Sequence, residues 1–190
     1  MARPRGEKDI FFDLLTGLPN RWRFEKRLQQ IIVRAEVREN GVGLVLIDLT
    51  GIKQVNATLG HTAGDALVKE AAELIKSHAP AGSLVGRLDG DEFGVLLTDL
   101  AGEAVSSSLA WAEKLLTMIH EVELAYEGRP IRVGANAGLS FCPLDADNGP
   151  ELFRQAYLAL QTAKKLGSNT LQRFVPMMQT TAWEEFDNLA

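Results

Sequence analysis

The stretch Arg87-Leu88-Asp89-Gly90-Asp91-Glu92-Phe93-Gly94 sets acidic residues between two apolar runs. The runs at 83–88 and 93–97 are rich in leucine and valine and predict two strands. Asp-Gly between strands is typical of a type I′ turn, because that turn needs positive φ at both central residues. The sequence therefore predicts a hairpin with its tip at Asp89 and Gly90. The neighbouring carboxylates of Asp91 and Glu92 follow on its second strand.

An acidic pair on a hairpin has two interpretations. With a third carboxylate from another strand, it is typical of a site for a hard cation such as Mg2+. Otherwise it is a solvated surface turn. A third carboxylate is available at Asp48, at the end of the apolar run 42–49, which predicts a strand buried on both faces. A buried carboxylate there needs a partner or a metal; the alternative role of Asp48 is a helix cap or turn residue.

The composition restricts the class of protein. The chain has 190 residues, which indicates one domain, and its net charge of -5 gives no overall basic field for nucleic acid or an anionic membrane. Cys142 is the only cysteine, so neither an internal disulfide nor a thiolate metal cluster is expected. Without an apolar run long enough to span a bilayer, we expect a cytoplasmic domain, or the cytoplasmic part of a membrane-anchored sensor.

The remaining periodicity predicts alternating helices and strands. The order is helix, strand, helix, hairpin, helix, strand pair, helix and strand. This order predicts an α/β (α+β) sandwich of the ferredoxin-like type, with helices packed around a mostly antiparallel sheet. The predicted elements outside the hairpin are helices at 21–38, 51–60, 62–75, 103–121 and 149–166, and strands at 42–49, 131–141 and 170–174, with a turn between short strands at Glu127-Gly128.

Two short segments suggest ligand contacts. Backbone amides near Gly51 can approach a phosphate closely, because glycine has no side chain in the way. Asp65 is predicted in the first turn of a helix, where a carboxylate interacts favourably with the helix dipole by about 0.3–1 kcal/mol. That structural role is the alternative to any role of Asp65 in binding.

Five separated motifs occur in one order along the chain. They are Asp13-x-Leu15-Thr16-Gly17-Leu18-x-Asn20-Arg21, Ile47-Asp48 with Lys53, Val55 and Asn56, Gly60-His61-x-x-Gly64-Asp65, Asp89-Gly90-Asp91-Glu92-Phe93, and Ala163-Lys164-x-x-Gly167-x-Asn169. Together they resemble the GGDEF domain of the diguanylate cyclase family. The segment Phe174-x-Pro176-x-Met178 resembles the linker into an EAL phosphodiesterase domain. We therefore expect a linker at 1–12, a GGDEF domain at 13–175 and a linker helix at 176–190, cut from a longer signalling protein.

The resemblance implies a fold related to nucleotide cyclases and the polymerase palm. Family members join two GTP molecules into cyclic di-GMP across a homodimer, with Mg2+ or Mn2+. By position, Asp48, the Leu49 carbonyl, Asp91 and Glu92 would hold the metal, and Asp91 resembles the candidate base. The residues that would bind the nucleotide are Asn56 and Asp65 at the guanine edge, Gly51, Ile52, Lys53 and Gly90 near the phosphates, and Lys164 at the terminal phosphates.

Several positions depart from the family pattern. Asp89 stands where the first glycine of the hallmark is usual, and Ser168 stands where an arginine for phosphate is usual. Further departures are Thr50, Ala57 and the segment Pro80-Ala81-Gly82-Ser83, which replaces the product-inhibition motif Arg-x-x-Asp. The resemblance therefore leaves three functions open. They are a degenerate domain that binds GTP and regulates a neighbouring phosphodiesterase, an active cyclase, and a module that keeps only the fold for protein interactions.

Overall fold

The computed structural model describes residues 10–38, 40–100, 104–126 and 129–180. Five long or medium helices and seven strands alternate along these residues. In chain order they are α1 (Arg21–Arg38), β1 (Gly41–Thr50), α2 (Ile52–Leu59), α3 (His61–His78), β2 (Leu84–Asp89), β3 (Glu92–Leu100), α4 (Ala104–Glu121), β4 (Leu124–Tyr126), β5 (Arg129–Ile131), β6 (Gly134–Cys142), α5 (Gly149–Leu166) and β7 (Leu171–Arg173).

Five of the strands form the central sheet. Their order is β2-β3-β1-β6-β7, and each neighbouring pair is antiparallel except β6 and β7. Strands β4 and β5 form a separate two-stranded sheet. The predicted fold class, an α/β sandwich with a mostly antiparallel sheet flanked by helices, is confirmed. Among the described helices, none is both long and apolar enough to cross a membrane.

Strand β1 lies in the middle of the sheet and is covered on both faces. Val45 and Ile47 belong to the core formed with α2, α3 and α4, whereas Leu44 and Leu46 belong to the core formed with α1 and α5. This double burial explains the continuous apolar run. Because side chains alternate along a strand, Asp48 extends the row of Leu44 and Leu46 towards α5.

Helix α5 packs closely on β6 because Gly138 has no side chain. A Cβ at Gly138 would fall inside the contact distance of Leu160 N and Ala156 O, two backbone atoms of α5. Gly138 lies opposite Leu46 of β1. Four residues of a helix advance about 6 Å, and two residues of a strand advance about 6.6 Å. Lys164 follows Leu160 by four residues and Asp48 follows Leu46 by two, so the two side chains reach the same end of the sheet.

The predicted position of the hairpin tip is wrong by one residue. Asp89 pairs with Glu92, so the two turn residues are Gly90 and Asp91, and neither has positive φ. The register shifts between Arg87 and Asp89, and the intervening Leu88 is buried in the core with α1 and α5. The buried leucine adds one residue to the first strand, so the turn is not of type I′.

The predicted long strand 131–141 is also wrong, since it is divided between the two sheets. Ile131 ends β5 and pairs with Leu124, whereas β6 begins at Gly134 and pairs with β1. The apolar alternation runs through both segments, which is why it did not mark the division. The predicted turn at 127–128 and most of the predicted C-terminal helix, 181–190, lie outside the described residues, as do residues 1–9 of the predicted linker.

We predict that Gly138→Ala destabilises the domain by about 1–3 kcal/mol, because the added methyl group meets α5 backbone that cannot rotate away. Urea unfolding should show a lower midpoint with an unchanged slope. Gly90→Ala is the matched control, since a Cβ there meets no described atom within 4 Å and Gly90 lacks positive φ. Equal midpoints for the two variants would contradict the close packing of α5 on β6.

Candidate functional site

An open cleft of about 500 Å3 lies where the end of β1 meets the β2–β3 turn. Three strand or turn segments and two helices contribute to it. Its described lining residues are Asp48, Leu49, Gly51, Ile52, Lys53, Asp89, Gly90, Asp91, Glu92 and Lys164. The cleft therefore brings together most of the side chains and backbone segments that the sequence pointed to.

The carboxylates meet through strand pairing. Asp48 lies directly opposite Glu92 in the β1–β3 register. One step further, Leu49 N donates to Asp91 O at 3.0 Å, which fixes the end of β1 against the turn. Residues separated by more than 40 positions in the sequence are thus held together at one end of the sheet, which we call the acidic edge.

Lys164 is the positive partner of this acidic edge. Its Nζ donates to Asp48 Oδ2 at 2.5 Å, and the exposed fractions of the two side chains are 31% for Lys164 and 13% for Asp48. A partly buried pair of this kind is screened less by salt than a surface pair. In the described structure, Lys164 is therefore the cation that compensates Asp48.

Two carboxyl groups of the cleft have raised pKa values, with burial as the main cause. Burial raises the pKa of Asp48; the hydrogen bond and charge of Lys164 partly offset this effect, and the charge of Asp91 adds to it. Burial also raises the pKa of Glu92, with Lys164 opposing and Asp48 adding. Both carboxyl groups are thus less easily ionised than free ones, and a further positive charge would stabilise their ionised forms.

The oxygen atoms of the described residues that line the cleft are of the type that binds a hard divalent cation, but they are not close enough together to hold one as they stand. Carboxylate and carbonyl oxygens are the ligands that Mg2+ and Mn2+ prefer. Among the described residues, however, no three acidic, histidine or cysteine side chains lie close enough together to hold a metal ion as they stand. Lys164 already contacts the largely buried carboxylate of Asp48, so a metal would have to replace it there.

The N-terminus of α2 lies at the cleft, and no described side chain caps its first-turn amides. Gly51 precedes the helix with φ 90°, a left-handed conformation that glycine adopts without a steric penalty. No side chain caps this end, so the N–H groups of Ile52 and Lys53 are without the usual helix partners. Together with the lysine side chain, these donors are suited to a phosphate group.

Asn56 and Asp65 lie on α2 and α3, outside the described lining of the cleft. Gly64 lets the two helices approach, because a Cβ there would overlap Asn56 Oδ1. That oxygen is buried and has no hydrogen-bond partner among the described residues. Asp65 is exposed, and it lies past the first turn because α3 begins at His61. The first-turn role predicted for Asp65 is therefore wrong, and its position favours a different role.

Asp89 lies beside the turn with its side chain exposed. Its Oδ1 accepts a hydrogen bond from Gly90 N at 2.9 Å. This contact occupies a backbone donor that faces the cleft and adds a negative charge to its rim.

Arg87 and Asp13 hold the turn in place, a role that the sequence alone did not reveal. Arg87 Nε and Nη2 donate to Gly90 O at 3.0 and 2.6 Å, and Nη1 donates to Asp13 Oδ1 at 2.9 Å. Asp13 also accepts from the backbone and side chain of Thr16. Burial alone would raise the pKa of Asp13, but these hydrogen bonds and the Arg87 charge leave it lowered. The N-terminal motif thus serves to fasten the acidic turn.

Arg21 contacts the acidic edge from α1. It donates to Leu88 O at 3.2 Å and lies 3.5 Å from Glu92 Oε2. The motif Asn20-Arg21 contained this residue, but the sequence did not assign it a role. Asn20 itself caps α1 by accepting from Arg23 N.

The fold and the carboxylates define an α/β domain with an acidic cleft at one end of its five-stranded sheet. The family model described as "Diguanylate cyclase, GGDEF domain" matches residues 10–170. The chain belongs to this family. Its hallmark reads Asp89-Gly90-Asp91-Glu92-Phe93 in place of the sequence that gives the family its name.

Relatives and solved structures support the same assignment. The chain is 35% identical over 164 residues to the probable diguanylate cyclase DgcE of Escherichia coli K12, covering 86% of this chain and 15% of DgcE. It is also 35% identical over 177 residues to MucR of Pseudomonas aeruginosa, a bifunctional diguanylate cyclase/cyclic di-GMP phosphodiesterase, covering 93% of this chain and 25% of MucR. The chain thus spans a quarter or less of these curated relatives.

A solved structure of similar size also matches. It is the GGDEF domain of TpbB from Pseudomonas aeruginosa PAO1, with a TM-score of 0.85 and 28% identity, covering 90% of this chain and 99% of that one. The chain is therefore a GGDEF domain of the kind found in cyclic di-GMP signalling proteins.

We predict that Lys164→Met raises the pKa values of both Asp48 and Glu92, because Lys164 lowers each of them in the intact site. Carboxyl carbon shifts measured by NMR across a pH titration report both groups. Lys165→Met is the matched control, since Lys165 is the next residue, is exposed and is not among the charges that shift either pKa. Unchanged titrations in Lys164→Met would refute the placement of Lys164 against Asp48.

Proposed function

We propose that this domain binds GTP together with Mg2+ (or Mn2+) in the cleft. We further propose that, in a longer protein, it regulates an adjacent EAL phosphodiesterase domain. The observation that carries the first part is the convergence of carboxylates, two lysines and an uncapped helix N-terminus around one 500 Å3 space. A cleft of this size is in the range of small-molecule sites. The proposed localisation is cytoplasmic, where GTP is available.

The charge balance of the cleft supports entry of the nucleotide with its metal. The described lining contains four carboxylates and two lysines, so it is negative before any ligand arrives. A triphosphate alone would meet repulsion there, at about 1 kcal/mol for each pair of like charges 4 Å apart in water and more in a drier site. One divalent cation would cancel this excess of two negative charges. It would also relieve Asp48 and Glu92, whose pKa values burial raises.

The roles of the acidic residues and Lys164 follow from their positions. We assign the metal to Asp48, Asp91, Glu92 and the Leu49 carbonyl. When bound, the metal would neutralise the triphosphate and lower the pKa of an attacking hydroxyl. Lys164 would leave Asp48 and meet the terminal phosphates as a point charge.

The phosphates and the base would use the other walls of the cleft. The amides at Gly51, Ile52 and Lys53, together with the chain at Gly90, would face the phosphates. Asn56 and Asp65 would read the guanine edge. The buried Asn56 Oδ1, which has no partner among the described residues, supports this assignment, because a base N–H donor would satisfy it.

Asp89 supports a regulatory rather than a catalytic role. Its carboxylate stands at the rim of the cleft and occupies Gly90 N, so it weakens the phosphate side of the site by charge and by loss of a donor. Ser168 lies outside the described lining and is exposed, so it does not replace the arginine expected there. MucR, with its two named activities, illustrates a longer protein in which such a domain accompanies a phosphodiesterase.

The second candidate is an active diguanylate cyclase that condenses two GTP molecules into cyclic di-GMP. It is favoured by the cleft itself, in which Asp48, Asp91, Glu92 and Lys164 lie together. In this reaction, the 3′-hydroxyl of each GTP attacks the α-phosphate of the other, so that two phosphodiester bonds form and two pyrophosphates leave. Asp91 would accept the hydroxyl proton. Two subunits would have to meet, each holding one GTP.

GTP binding and turnover distinguish these functions. We expect calorimetric titration with Mg2+ present to show GTP binding, and we expect neither pyrophosphate nor cyclic di-GMP to accumulate. Asp48→Asn should abolish the Mg2+-dependent part of the binding. Asp89→Gly should tighten binding about fivefold, corresponding to about 1 kcal/mol of repulsion removed.

The outcomes separate the candidates. Product formation at a rate typical of enzymes, about 1 per second or more, would overturn the regulatory proposal in favour of the cyclase. Failure of GTP to bind would overturn both candidates and favour an interaction module. Equal affinity of Asp89→Gly and the unaltered chain would show that Asp89 does not limit the site.

A base-reading role for Asp65 predicts selectivity. Asp65→Ala should weaken GTP at least tenfold and ATP much less, because guanine presents two adjacent N–H donors, N1–H and N2–H2, to one carboxylate, whereas adenine presents one donor beside an acceptor. Competition between the two nucleotides for the same cleft gives both affinities. Glu70→Ala is the control, since Glu70 is an exposed carboxylate on the same helix. An equal loss for GTP and ATP would remove the base-reading role of Asp65.

A further inference from the structure

A second groove, of about 480 Å3, lies on the outward side of α1. We call it the α1 groove and define it by Phe11, Trp22, Arg23, Lys26, Arg27 and Leu84. Leu84 belongs to β2, which is the edge strand of the sheet. The described linings of the α1 groove and of the carboxylate cleft have no residue in common.

The α1 groove is cationic although the chain as a whole carries a net charge of -5. Arg23, Lys26 and Arg27 are three and four residues apart, so they lie on one face of α1. Within the described parts of the chain, none of the three forms an ion pair, and no acidic side chain is among the groove's lining residues. Arg27 donates instead to the neutral Gln30 at 3.1 Å. These positive charges are therefore available to an anion.

Aromatic rings contact two of the cations, and one of these rings, Trp22, is largely exposed. Lys26 Nζ lies 5.9 Å from the ring centre of Trp22, and the Arg23 guanidinium lies 4.5 Å from that of Phe12. Phe11 and Trp22 pack against each other with centroids 5.0 Å apart. Trp22 is nevertheless 54% exposed. An exposed indole beside cations is the arrangement on which a nucleic-acid base stacks while its phosphates are neutralised.

Two other occupants fit the groove less well. A membrane surface would require an apolar stripe on the outward face of α1. The apolar stripe that α1 does have, which includes Phe24, Leu28 and Ile32, is buried against the sheet. An acidic peptide would satisfy the three cations but has no planar group for the open ring of Trp22. The concave shape and the volume are also those of a small-ligand site.

We propose that the α1 groove binds a phosphate-bearing nucleotide as a second ligand. Its base stacks on Trp22, supported by Phe11, and its phosphates contact Arg23, Lys26 and Arg27. This site is separate from the carboxylate cleft and needs no divalent metal, because its own cations neutralise the phosphates. Its existence therefore does not depend on whether the cleft binds GTP.

The test uses the whole 190-residue chain and two probes, ATP and inorganic pyrophosphate, both in buffer without divalent metal. NMR amide and indole shifts locate the binding, and the indole signal of Trp22 is assigned with Trp22→Phe. We expect ATP to shift Phe11, the Trp22 indole and Leu84. The double variant Lys26→Ala, Arg27→Ala should weaken ATP at least tenfold. Trp22→Ala should weaken ATP but leave pyrophosphate binding unchanged.

Arg34→Ala is the matched control, because Arg34 is an exposed cation on the same helix but does not line the α1 groove. It should change either affinity by less than twofold. Urea midpoints of all variants show whether each remains folded. The proposal is overturned if millimolar ATP shifts only residues of the carboxylate cleft or shifts nothing in the groove.

Two further outcomes would also overturn it. If ATP and pyrophosphate bind equally and Trp22→Ala changes neither, the groove is an anion site without base recognition. If vesicles of phosphatidylcholine and phosphatidylserine bind the chain, and the double variant abolishes that binding while ATP binding is absent, the groove is a membrane contact.

Discussion

The pairing of Asp48 with Lys164 depends on the packing of α5 against the central sheet. Asp48 is placed by β1, which is buried on both faces and cannot shift without disrupting two cores. Lys164 is placed by α5, which approaches β6 closely at Gly138. The 2.5 Å contact between the two side chains therefore reports the fit of helix and sheet. The buried charge of Asp48 at the end of β1 is tolerated because its ion-pair partner, Lys164, is held in place by a rigid helix.

The acidic turn at this end of the sheet is also held in place by the N-terminal loop. Arg87 joins Asp13 to the carbonyl of Gly90, so the turn that carries Asp91 is tied to residues more than 70 positions earlier. Arg21 adds a contact to the Glu92 carboxylate from α1. The charge of Arg21 lowers the pKa of Glu92, and the charges of Lys53 and Lys164 lower the pKa of Asp48. The electrostatic cost of gathering carboxylates is thus offset by cations drawn from three different parts of the chain.

Sequence patterns predicted the elements better than their ends. The buried β1, the capped α1 and the helix over 149–166 follow directly from apolar runs, from Asn20 and from the Asn148-Gly149-Pro150 start. The hairpin tip was misplaced because Leu88 is drawn into the core, a tertiary effect that local turn chemistry does not contain. The motifs contain most of the residues that gather at the cleft, although Asn56 and Asp65 lie outside its described lining. The clamp by Arg87 appears only when distant segments are brought together.

The hairpin contains residues that the packing of the fold requires and a residue, Asp89, that the packing does not constrain. Gly86 and Gly94, on either side of the hairpin, both face Phe24, and a Cβ at either would lie less than 3.0 Å from its ring. These glycines are therefore required by packing. Asp89, in contrast, is exposed, lacks positive φ and pairs normally with Glu92.

The backbone at position 89 thus accepts a side chain without strain. The turn itself therefore gives no backbone reason for a glycine at position 89. An aspartate there leaves the domain folded and changes only the charge and the donors that the cleft presents. Position 89 is therefore a place where the ligand-facing side of the cleft can change while the fold stays the same.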